Sequence, residues 1–427
     1  MIRIGENQVT TAHDLAADPG PGHGGARGGR PRGPADAAAR QPGRTVGEAT
    51  ALLDAYRPGG TAFFGSPTRT LLARGVRARV PHGEAPLAER VAGTLHAARA
   101  QGIERPVVVG AVPFDADAPA RLFVPELLYT ATPLERDPLI ALDAPPAGPA
   151  AWTVRPHPEP VVYEAAVAEA VRRMADGGLD KAVLARTLEL TAPEPFDLTA
   201  MLWRLARRDP GGYTFAVPAG EGRTLLGASP ELLVSRHGGT LRANPLAGST
   251  PRRADLAEDV MGAVELLGSP KDRHEHAVVA DAVRAALAPY CARLQVPHAP
   301  TLVRTAAMWH LSTTVTGELR QPPPTAVELA SVLHPTPAVC GTPTEAAREL
   351  IGAVEPFDRG LYAGMVGWQD ADGDGEWVVT IRCAEADEHS LRLYAGAGVV
   401  PGSCPEAELA ETTAKFRTFL DAVGVFA

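Results

Sequence analysis

The amino-acid sequence predicts an α+β protein in which antiparallel β-sheets form a sandwich-like core flanked by helices. Strand-like runs follow one another as hairpins, and long amphipathic segments interrupt them without the regular alternation that marks a parallel sheet. Hydrophobic residues occupy 45% of the 427 positions and charged residues 21%, which is ordinary for a folded globular chain.

Three parts of the chain differ in composition. Residues 16–45 contain 8 Gly, 5 Pro and 7 Ala but no Val, Ile, Leu, Met or aromatic residue, so residues 1–45 are predicted to be a disordered low-complexity tail. Proline clusters between positions 145 and 160 then mark a boundary. We therefore predict that residues 46–150 form an N-terminal part of the fold and that residues 151–427 form a larger region.

Helices are predicted from apolar residues at helical spacing, and strands from short β-branched runs. Gly268 and Pro270 divide one long helical stretch, because proline is accepted in the first turn of a helix but not in its interior. An Asp-Gly-rich turn joins two late strands as a hairpin. In chain order, the predicted helices are 46–56, 161–175, 198–208, 254–294 and 405–423, and the predicted strands are 61–64, 106–112, 181–190, 213–217, 223–228, 232–236, 360–368, 376–384 and 390–397.

The charge composition excludes a generally basic nucleic-acid-binding protein. The chain has 41 basic and 50 acidic residues and a net charge of −9, whereas phosphate binding requires clustered positive charge. Of the basic residues 38 are Arg, and the three lysines are Lys181, Lys271 and Lys415. Because Arg is a permanent cation, we expect lysine where Arg cannot act, for example at a base that has to lose its proton.

The remaining composition favours a cytoplasmic protein without a membrane partner. The chain contains no apolar run of about 18 residues, and residues 1–15 lack the apolar segment of a secretory signal. The four cysteines have neither the spacing of a disulfide framework nor that of a zinc site. We therefore expect them to be reduced thiols.

Two helical segments carry acidic and basic side chains on a common face. Lys271 and Glu275 are four residues apart. Glu408, Glu411 and Lys415 follow one another at spacings of three and four. Spacing alone leaves two interpretations open: solvated salt bridges on helix surfaces, or carboxylates from two helices that together hold a magnesium ion.

A third candidate segment is strand-borne. Lys181 begins a predicted strand, and the sequence Gly-Ala-Ser-Pro-Glu ends at Glu231. A lysine at a strand end is commonly a solvated cation. The scarcity of lysine in this chain favours a general base at position 181.

These segments resemble the chorismate-utilising enzyme family, which includes anthranilate synthase component I. The resemblance extends over about residues 46–427, is densest from residue 160 onward, and implies the α+β fold of that family with residues 151–427 as its chorismate-binding catalytic region. The matching segments are residues 180–186, 227–232, 245–249, 271–276, 309–311, 334–338, 355–359, 367–368, 377–382, 395–401 and 408–415.

The resemblance implies a role for each matching position. It implies that Glu275 and Glu411 hold a magnesium ion directly, with Glu408 as a water-mediated partner. It also implies that Lys181 is the base that activates water and that Glu231 is the acid. The positions that match groups binding the substrate carboxylates or lining the pocket are Arg382, Lys415, Gly396, Gly398, Gly248 and Ala338.

Within the family, the chain is most similar to isochorismate synthases that serve siderophore biosynthesis. Relatives that use ammonia have Gln where this chain has Lys181, and amine-using relatives typically have Thr where it has Ala338. The resemblance therefore implies water as the nucleophile. The expected reaction converts chorismate to isochorismate, adding water at C2 and removing the C4 hydroxyl, for the synthesis of 2,3-dihydroxybenzoate.

Three other functions stay open. A salicylate synthase shares the acid–base pair and then eliminates pyruvate. An amine-transferring enzyme needs a glutaminase subunit, and a chorismate-binding protein without turnover needs no acid or base. The resemblance favours the isomerase and implies a monomer that binds chorismate, with no glutaminase, nucleic-acid or membrane partner.

Overall fold

The structure, a computed structural model, describes residues 9–11, 46–143 and 152–424. The rest of the predicted tail, and residues 144–151 at the predicted boundary, lie outside the described residues. At positions 9–11 the prediction of disorder is wrong, because Val9–Thr11 forms a strand that pairs in parallel with Leu127–Ala131. β-Branched residues favour strands, and a sheet edge offers such a segment unpaired backbone groups.

The described ranges contain nine α-helices and three short 3₁₀ helices. The 3₁₀ helices are Leu134–Arg136, Pro138–Ala141 and Ala288–Tyr290. The α-helices are α1 (Glu48–Asp54), α2 (Leu87–Ala100), α3 (Pro160–Ala175), α4 (Leu198–Arg208), α5 (Leu256–Gly268), α6 (Pro270–Leu287), α7 (Ala326–Leu333), α8 (Thr344–Val354) and α9 (Pro405–Val423).

The same ranges contain 23 strands. They are β1 (Val9–Thr11), β2 (Thr61–Gly65), β3 (Thr70–Arg74), β4 (Ala78–Arg79), β5 (Val107–Val112), β6 (Arg121–Val124), β7 (Leu127–Ala131), β8 (Thr153–His157), β9 (Lys181–Thr191), β10 (Tyr213–Gly220), β11 (Arg223–Ser229), β12 (Leu232–His237), β13 (Thr240–Asn244), β14 (Leu246–Pro251), β15 (Cys291–Gln295), β16 (Thr301–Arg304), β17 (Met308–Ser312), β18 (Val315–Leu319), β19 (Gly341–Thr342), β20 (Met365–Asp370), β21 (Gly375–Val379), β22 (Cys383–Ala386) and β23 (Ser390–Val399).

Within the described part of the chain, these strands form three sheets. The eleven-stranded sheet has the order β1-β7-β3-β2-β10-β11-β22-β23-β9-β19, with β8 also paired to β9. The nine-stranded sheet has the order β15-β18-β13-β12-β21-β20-β5-β6-β4, and the three-stranded sheet has the order β14-β17-β16. Neighbouring strands pair antiparallel, except for β1 with β7.

Two apolar cores hold these layers together. The first lies between the two large sheets, where Phe215 of β10 and Trp377 of β21 are both fully buried. The second lies on the other face of the eleven-stranded sheet, where Trp203 of α4 and Phe416 of α9 pack. Because side chains alternate across a strand, each central strand of that sheet contributes to both cores. The predicted α+β sandwich with flanking helices is confirmed.

The longest predicted helix, 254–294, extends beyond the observed helices at its C-terminal end. The break at Gly268 and Pro270 is confirmed, since α5 ends at Gly268 and α6 begins at Pro270. Residues 291–294, however, belong to β15, which pairs with β18 of the nine-stranded sheet. The free edge of that sheet provides backbone partners that outweigh local helical periodicity.

The predicted hairpin over 360–384 is confirmed in its centre and wrong at its C-terminal end. β20 and β21 pair across the Asp-Gly-rich turn, but β22 leaves them and joins the eleven-stranded sheet. Between the two sheets Arg382 adopts a left-handed backbone conformation with φ of 52°. A change of sheet requires a sharp change of chain direction, and residues 376–386 contain no Gly or Pro that would indicate one.

None of the helices described in the structure is both long enough and apolar enough to cross a membrane.

Two helices are held firmly against the strands that carry the candidate site. α6 begins with a cap in which Ser269 Oγ accepts a hydrogen bond from the Asp272 amide at 3.2 Å. α9 packs on β23 and β9, where the buried Arg186 guanidinium donates from Nε to Thr412 Oγ1 at 2.9 Å. The same guanidinium lies 5.1 Å from the Phe416 ring centre, so charge and packing both fix α9 in place.

Candidate active site

A cavity lies where β9, β23, β14, α6 and α9 meet. Every predicted site residue except Lys181 and Glu408 lines this cavity. Those two side chains lie immediately behind the wall, and each is about 1% exposed. The residues predicted from the sequence are therefore brought together, although they come from segments as distant as positions 181 and 415. The predicted members of the lining are Glu231, Gly248, Glu275, Ala338, Arg382, Gly396, Gly398, Glu411 and Lys415.

Each of the three lysines of the chain pairs with one of the three carboxylates predicted to serve a metal. A buried carboxylate needs a nearby cation or hydrogen-bond donors, because burial disfavours its charged form. The three pairs are Lys181 Nζ with Glu275 Oε1 at 3.0 Å, Lys271 Nζ with Glu408 Oε1 at 2.9 Å, and Lys415 Nζ with Glu411 Oε1 at 2.6 Å.

The partner of Lys271 differs from the one that helical spacing suggests. Lys271 and Glu275 are four residues apart on α6, but Glu275 faces Lys181 on β9. Lys271 instead reaches across to Glu408 in the first turns of α9. The alternative of solvated salt bridges therefore fails for this pair, because Glu408 is buried between the helices.

Lys181 is held by packing more than by hydrogen bonds. It begins β9, and its side chain is 1% exposed. Its Nζ lies 3.0 Å from Glu275 Oε1, yet it has no well-directed hydrogen bond to any described residue. An amine in this situation keeps its lone pair or its protons available to a molecule in the adjacent cavity.

Gly398 explains how Lys181 and Glu275 can approach each other. A β-carbon at position 398 would lie 2.2 Å from Glu275 Oε1 and 3.2 Å from Lys181 Cε. The strand pairing that places Gly398 there is the long antiparallel ladder between β9 and β23, with Gly398 opposite Val183. A glycine is therefore required at this position for steric reasons, in addition to any contact of its amide with an anion.

Glu231 has the environment of a general acid. It follows β11, is 3% exposed, and its Oε1 accepts a weak hydrogen bond of 3.4 Å from the Leu246 amide. Burial raises the pKa of Glu231 to about 7, while that amide and the positive charge of Lys181 act in the opposite direction. Below that pH the carboxylic acid holds a proton that it can donate into the cavity.

Glu275 and Glu411 are the side chains best placed to hold a cation. Both line the cavity, whereas Glu408 lies behind Glu411 on α9. Burial and the neighbouring Glu411 charge raise the pKa of Glu408, so the cluster carries unfavourable negative charge. Among the described residues, no three acidic, His or Cys side chains converge as a closed metal shell. Two carboxylates that line one cavity and leave other coordination positions open fit magnesium, which keeps several waters or substrate oxygens.

Part of the cavity lining is cationic. Arg382 belongs to it, and Arg382 Nη2 donates to His310 Nε2 at 3.4 Å. Burial, with Arg382 and Lys415 nearby, holds the pKa of His310 well below its usual value, so His310 is a neutral acceptor. Lys415 Nζ also donates to the Gly396 carbonyl at 2.8 Å. These cationic groups can bind carboxylates.

Sequence reasoning missed several members of the cavity wall. His310 belongs to the segment 309–311 that resembles the family, but no role was assigned to it. Tyr362 and Tyr394 stack with ring centres 4.9 Å apart and also line the cavity. Tyr394 could have been found from strand periodicity, because it shares one face of β23 with Gly396 and Gly398. Tyr362 lies in a turn before β20, where the sequence predicted a strand from residue 360, so strand periodicity offers no such signal for it.

A buried ion pair supports the wall near Ala338. Arg359 Nη2 lies 2.6 Å from Glu355 Oε1, and both side chains are 3% exposed. Arg359 also donates to the carbonyls of Val339 and Val183 at 2.8 and 2.7 Å. These bonds join Val339, which follows Ala338, to Val183 on β9. The cavity wall at Ala338 therefore keeps a defined separation from Lys181.

Gly248, on β14, lies in another part of the cavity wall. Its φ of 77° falls in the left-handed region, and a β-carbon there would lie 3.0 Å from Asp272 Cβ on α6. His276 on the same helix contacts the Ala247 carbonyl at 3.2 Å through Nδ1. This part of β14 therefore packs directly on the helix that carries Glu275.

Comparisons with known proteins were made for the whole chain. A family model described as chorismate binding enzyme matches residues 134–424. The isochorismate synthase DhbC of Bacillus subtilis is 53% identical over 392 residues, which cover 89% of this chain and 98% of that protein. The isochorismate synthase EntC of Escherichia coli is 40% identical over 370 residues, which cover 85% and 94%.

A solved structure has the same fold. The crystal structure assigned as a 2,3-dihydroxybenzoate-specific isochorismate synthase, DhbC of Bacillus anthracis, superposes with a TM-score of 0.83 at 50% identity. The match covers 88% of this chain and 99% of that one.

Substitution of Gly398 by Ala tests the steric account of the site. We expect the Glu275 carboxylate to be displaced from Lys181, because the added carbon would occupy its position, while the fold is retained. A crystal structure of the variant measures this separation directly. Gly239→Ala is the matched control, since a β-carbon there meets nothing within 4 Å. An unchanged Lys181–Glu275 pair in the Gly398→Ala protein would contradict the account.

Proposed function

Because this chain belongs to the family of chorismate-binding enzymes, we propose that it is an isochorismate synthase, an isomerase that converts chorismate to isochorismate. The resemblance predicted from the sequence motifs is confirmed by the family match and by the identity to isochorismate synthases over most of both chains. Relatives named for 2,3-dihydroxybenzoate and vibriobactin support a role in siderophore biosynthesis.

The observation that carries the proposal is the pairing of a buried base with a buried acid at one cavity. Lys181 presents an amine without a directed hydrogen bond, and Glu231 presents a carboxyl with a pKa raised to about 7 by burial. An isomerisation that adds water at one carbon and removes hydroxide at another needs one group of each kind. Glu231 in the cavity lining and Lys181 directly behind it provide this acid and this base.

Each side chain then has a defined task. The Lys181 amine, acting as the base, takes a proton from the water whose oxygen bonds to C2 of chorismate. The Glu231 carboxyl gives its proton to the hydroxyl whose bond to C4 breaks, and the ring double bonds shift between these positions. One water enters and one leaves, so the product is an isomer. Arg382 and Lys415 bind the substrate carboxylates and set the ring against Lys181 and Glu231.

We propose magnesium as the cofactor, held by Glu275 and Glu411 with Glu408 behind them. Glu275 and Glu411 line the cavity, and the clustered charge of the three carboxylates fits a hard cation. When bound, the metal supplies Lewis-acid polarisation of the ring carboxylate. Each of these carboxylates also lies within ion-pair distance of a lysine.

The remaining proposals concern partners and location. We propose a monomer that acts without a glutaminase subunit, because the position of Lys181 favours water over ammonia as nucleophile. We also propose a cytoplasmic location. Cys291, Cys340, Cys383 and Cys404 are free thiols, as expected in a reducing compartment.

Incubation of the purified protein with chorismate and magnesium tests the proposed reaction. We expect isochorismate to accumulate, because the cavity provides an acid and a base for exchange of water. Product analysis by liquid chromatography separates it from salicylate, and the protein without magnesium is the control. Salicylate and pyruvate formed without an added lyase would instead identify a salicylate synthase. Turnover with ammonium but not with water would identify an amine-transferring enzyme.

The dependence of kcat/KM on pH tests the role of Glu231. The acid is active when protonated, so its loss of a proton above about pH 7 opposes any gain from deprotonation of the base, and we expect the slope of log kcat/KM against pH to decrease near pH 7. Steady-state kinetics over the neutral and mildly alkaline range measures the profile. Circular dichroism at each pH provides the control for an intact fold. A profile whose slope does not change near pH 7 would contradict the assignment.

A further inference from the structure

Lys271 is the lysine for which the proposed reaction has no use. It lies in the first turn of α6, outside the cavity lining, with 43% of its side chain exposed. Its ammonium nevertheless reaches Glu408, which is 1% exposed, at 2.9 Å. An exposed cation thus neutralises a buried anion that lies beside the proposed metal ligands.

The surroundings of this pair are strongly acidic. Asp272 is the next residue on α6, and Glu275 lies one turn further along the same face. On α9, Glu411 lies one turn after Glu408. Four carboxylates therefore share the junction of the two helices, whereas Lys181, Lys271 and Lys415 supply three positive charges there.

We propose that Lys271 is a positioning residue that sets the affinity of this junction for magnesium by acting as a built-in counter-cation of Glu408. The inference rests on the magnesium site of the proposed function. While Lys271 holds Glu408, one carboxylate of the cluster is already neutralised, and the electrostatic attraction for an arriving divalent cation is smaller. Without that ammonium, the full charge of Glu408 acts on the metal.

The geometry explains why this position suits a regulator of affinity. Lys181 and Lys415 flank the cavity and have tasks toward water and substrate. Lys271 approaches from the solvent side, so its removal leaves the cavity wall in place. Removal of Lys271 does leave the Glu408 carboxylate buried without its cation, and this destabilises the metal-free protein. Magnesium then restores the missing positive charge.

If the Lys271–Glu408 pair were only a structural salt bridge between α6 and α9, a different result would be expected. Such a bridge contributes the same stability with and without metal, and its loss lowers or does not change the affinity for magnesium. The counter-cation account predicts the opposite sign, because loss of a positive charge strengthens cation binding. The direction of the change in affinity therefore separates the two roles.

The test measures magnesium binding to the full-length protein without substrate, by isothermal titration calorimetry and by thermal unfolding. The variants are Lys271→Met, Lys271→Arg as the charge-retaining control, and the double substitution Lys271→Met with Glu408→Gln. We expect Lys271→Met to bind magnesium about fivefold more tightly or better, and to gain more thermal stability from magnesium than the wild type.

The controls keep the result interpretable. Lys271→Arg retains the charge and is expected to bind within about twofold of the wild type. The double variant removes both charges of the pair, folds without a buried unpaired carboxylate, and returns the affinity toward that of the wild type. Equal or weaker magnesium binding by Lys271→Met would overturn the inference. Absence of magnesium binding by the wild type would instead overturn the metal site itself.

Discussion

The matching of buried carboxylates by lysine is the interaction on which the rest of this site depends. Three acidic side chains meet where α6 and α9 approach β9 and β23, and each has a lysine within ion-pair distance. Without those cations, burial would force the carboxylates to take up protons or the helices to separate. With them, the junction is closed, charged and adjacent to a cavity, which are the properties that a metal and an anionic substrate require.

The fold supports this arrangement by bringing distant segments to one place. The ladder between β9 and β23 brings Lys181 beside Gly398, and the absence of a side chain there admits Glu275 from α6. Arg186, on the same strand as Lys181, fixes α9 through Thr412. The change of sheet after β21 places Arg382 in the cavity lining. Rigid elements thus hold Glu231, Lys181 and the side chains proposed to bind carboxylates in one geometry.

Much of this could be predicted from the sequence, and the differences have physical causes. The helix starts at Pro270 and Pro405 were readable because proline is favoured in the first turn. The count of lysines pointed to the site before any contact was known. The partner of Lys271 was not readable, because it depends on how two helices pack rather than on spacing within one. The change of sheet near Arg382 likewise depends on long-range pairing.

The central claim is that lysine occupies position 181 because Arg, a permanent cation, cannot act as the base there. Replacement of Lys181 by Arg keeps a positive charge opposite Glu275 but removes a base that can lose its proton. The direct measurement is turnover of chorismate together with the dissociation constant of chorismate, for Lys181→Arg and Lys181→Ala. The account predicts loss of isomerisation by about two to four orders of magnitude, with chorismate still bound. Full turnover in either variant would contradict it.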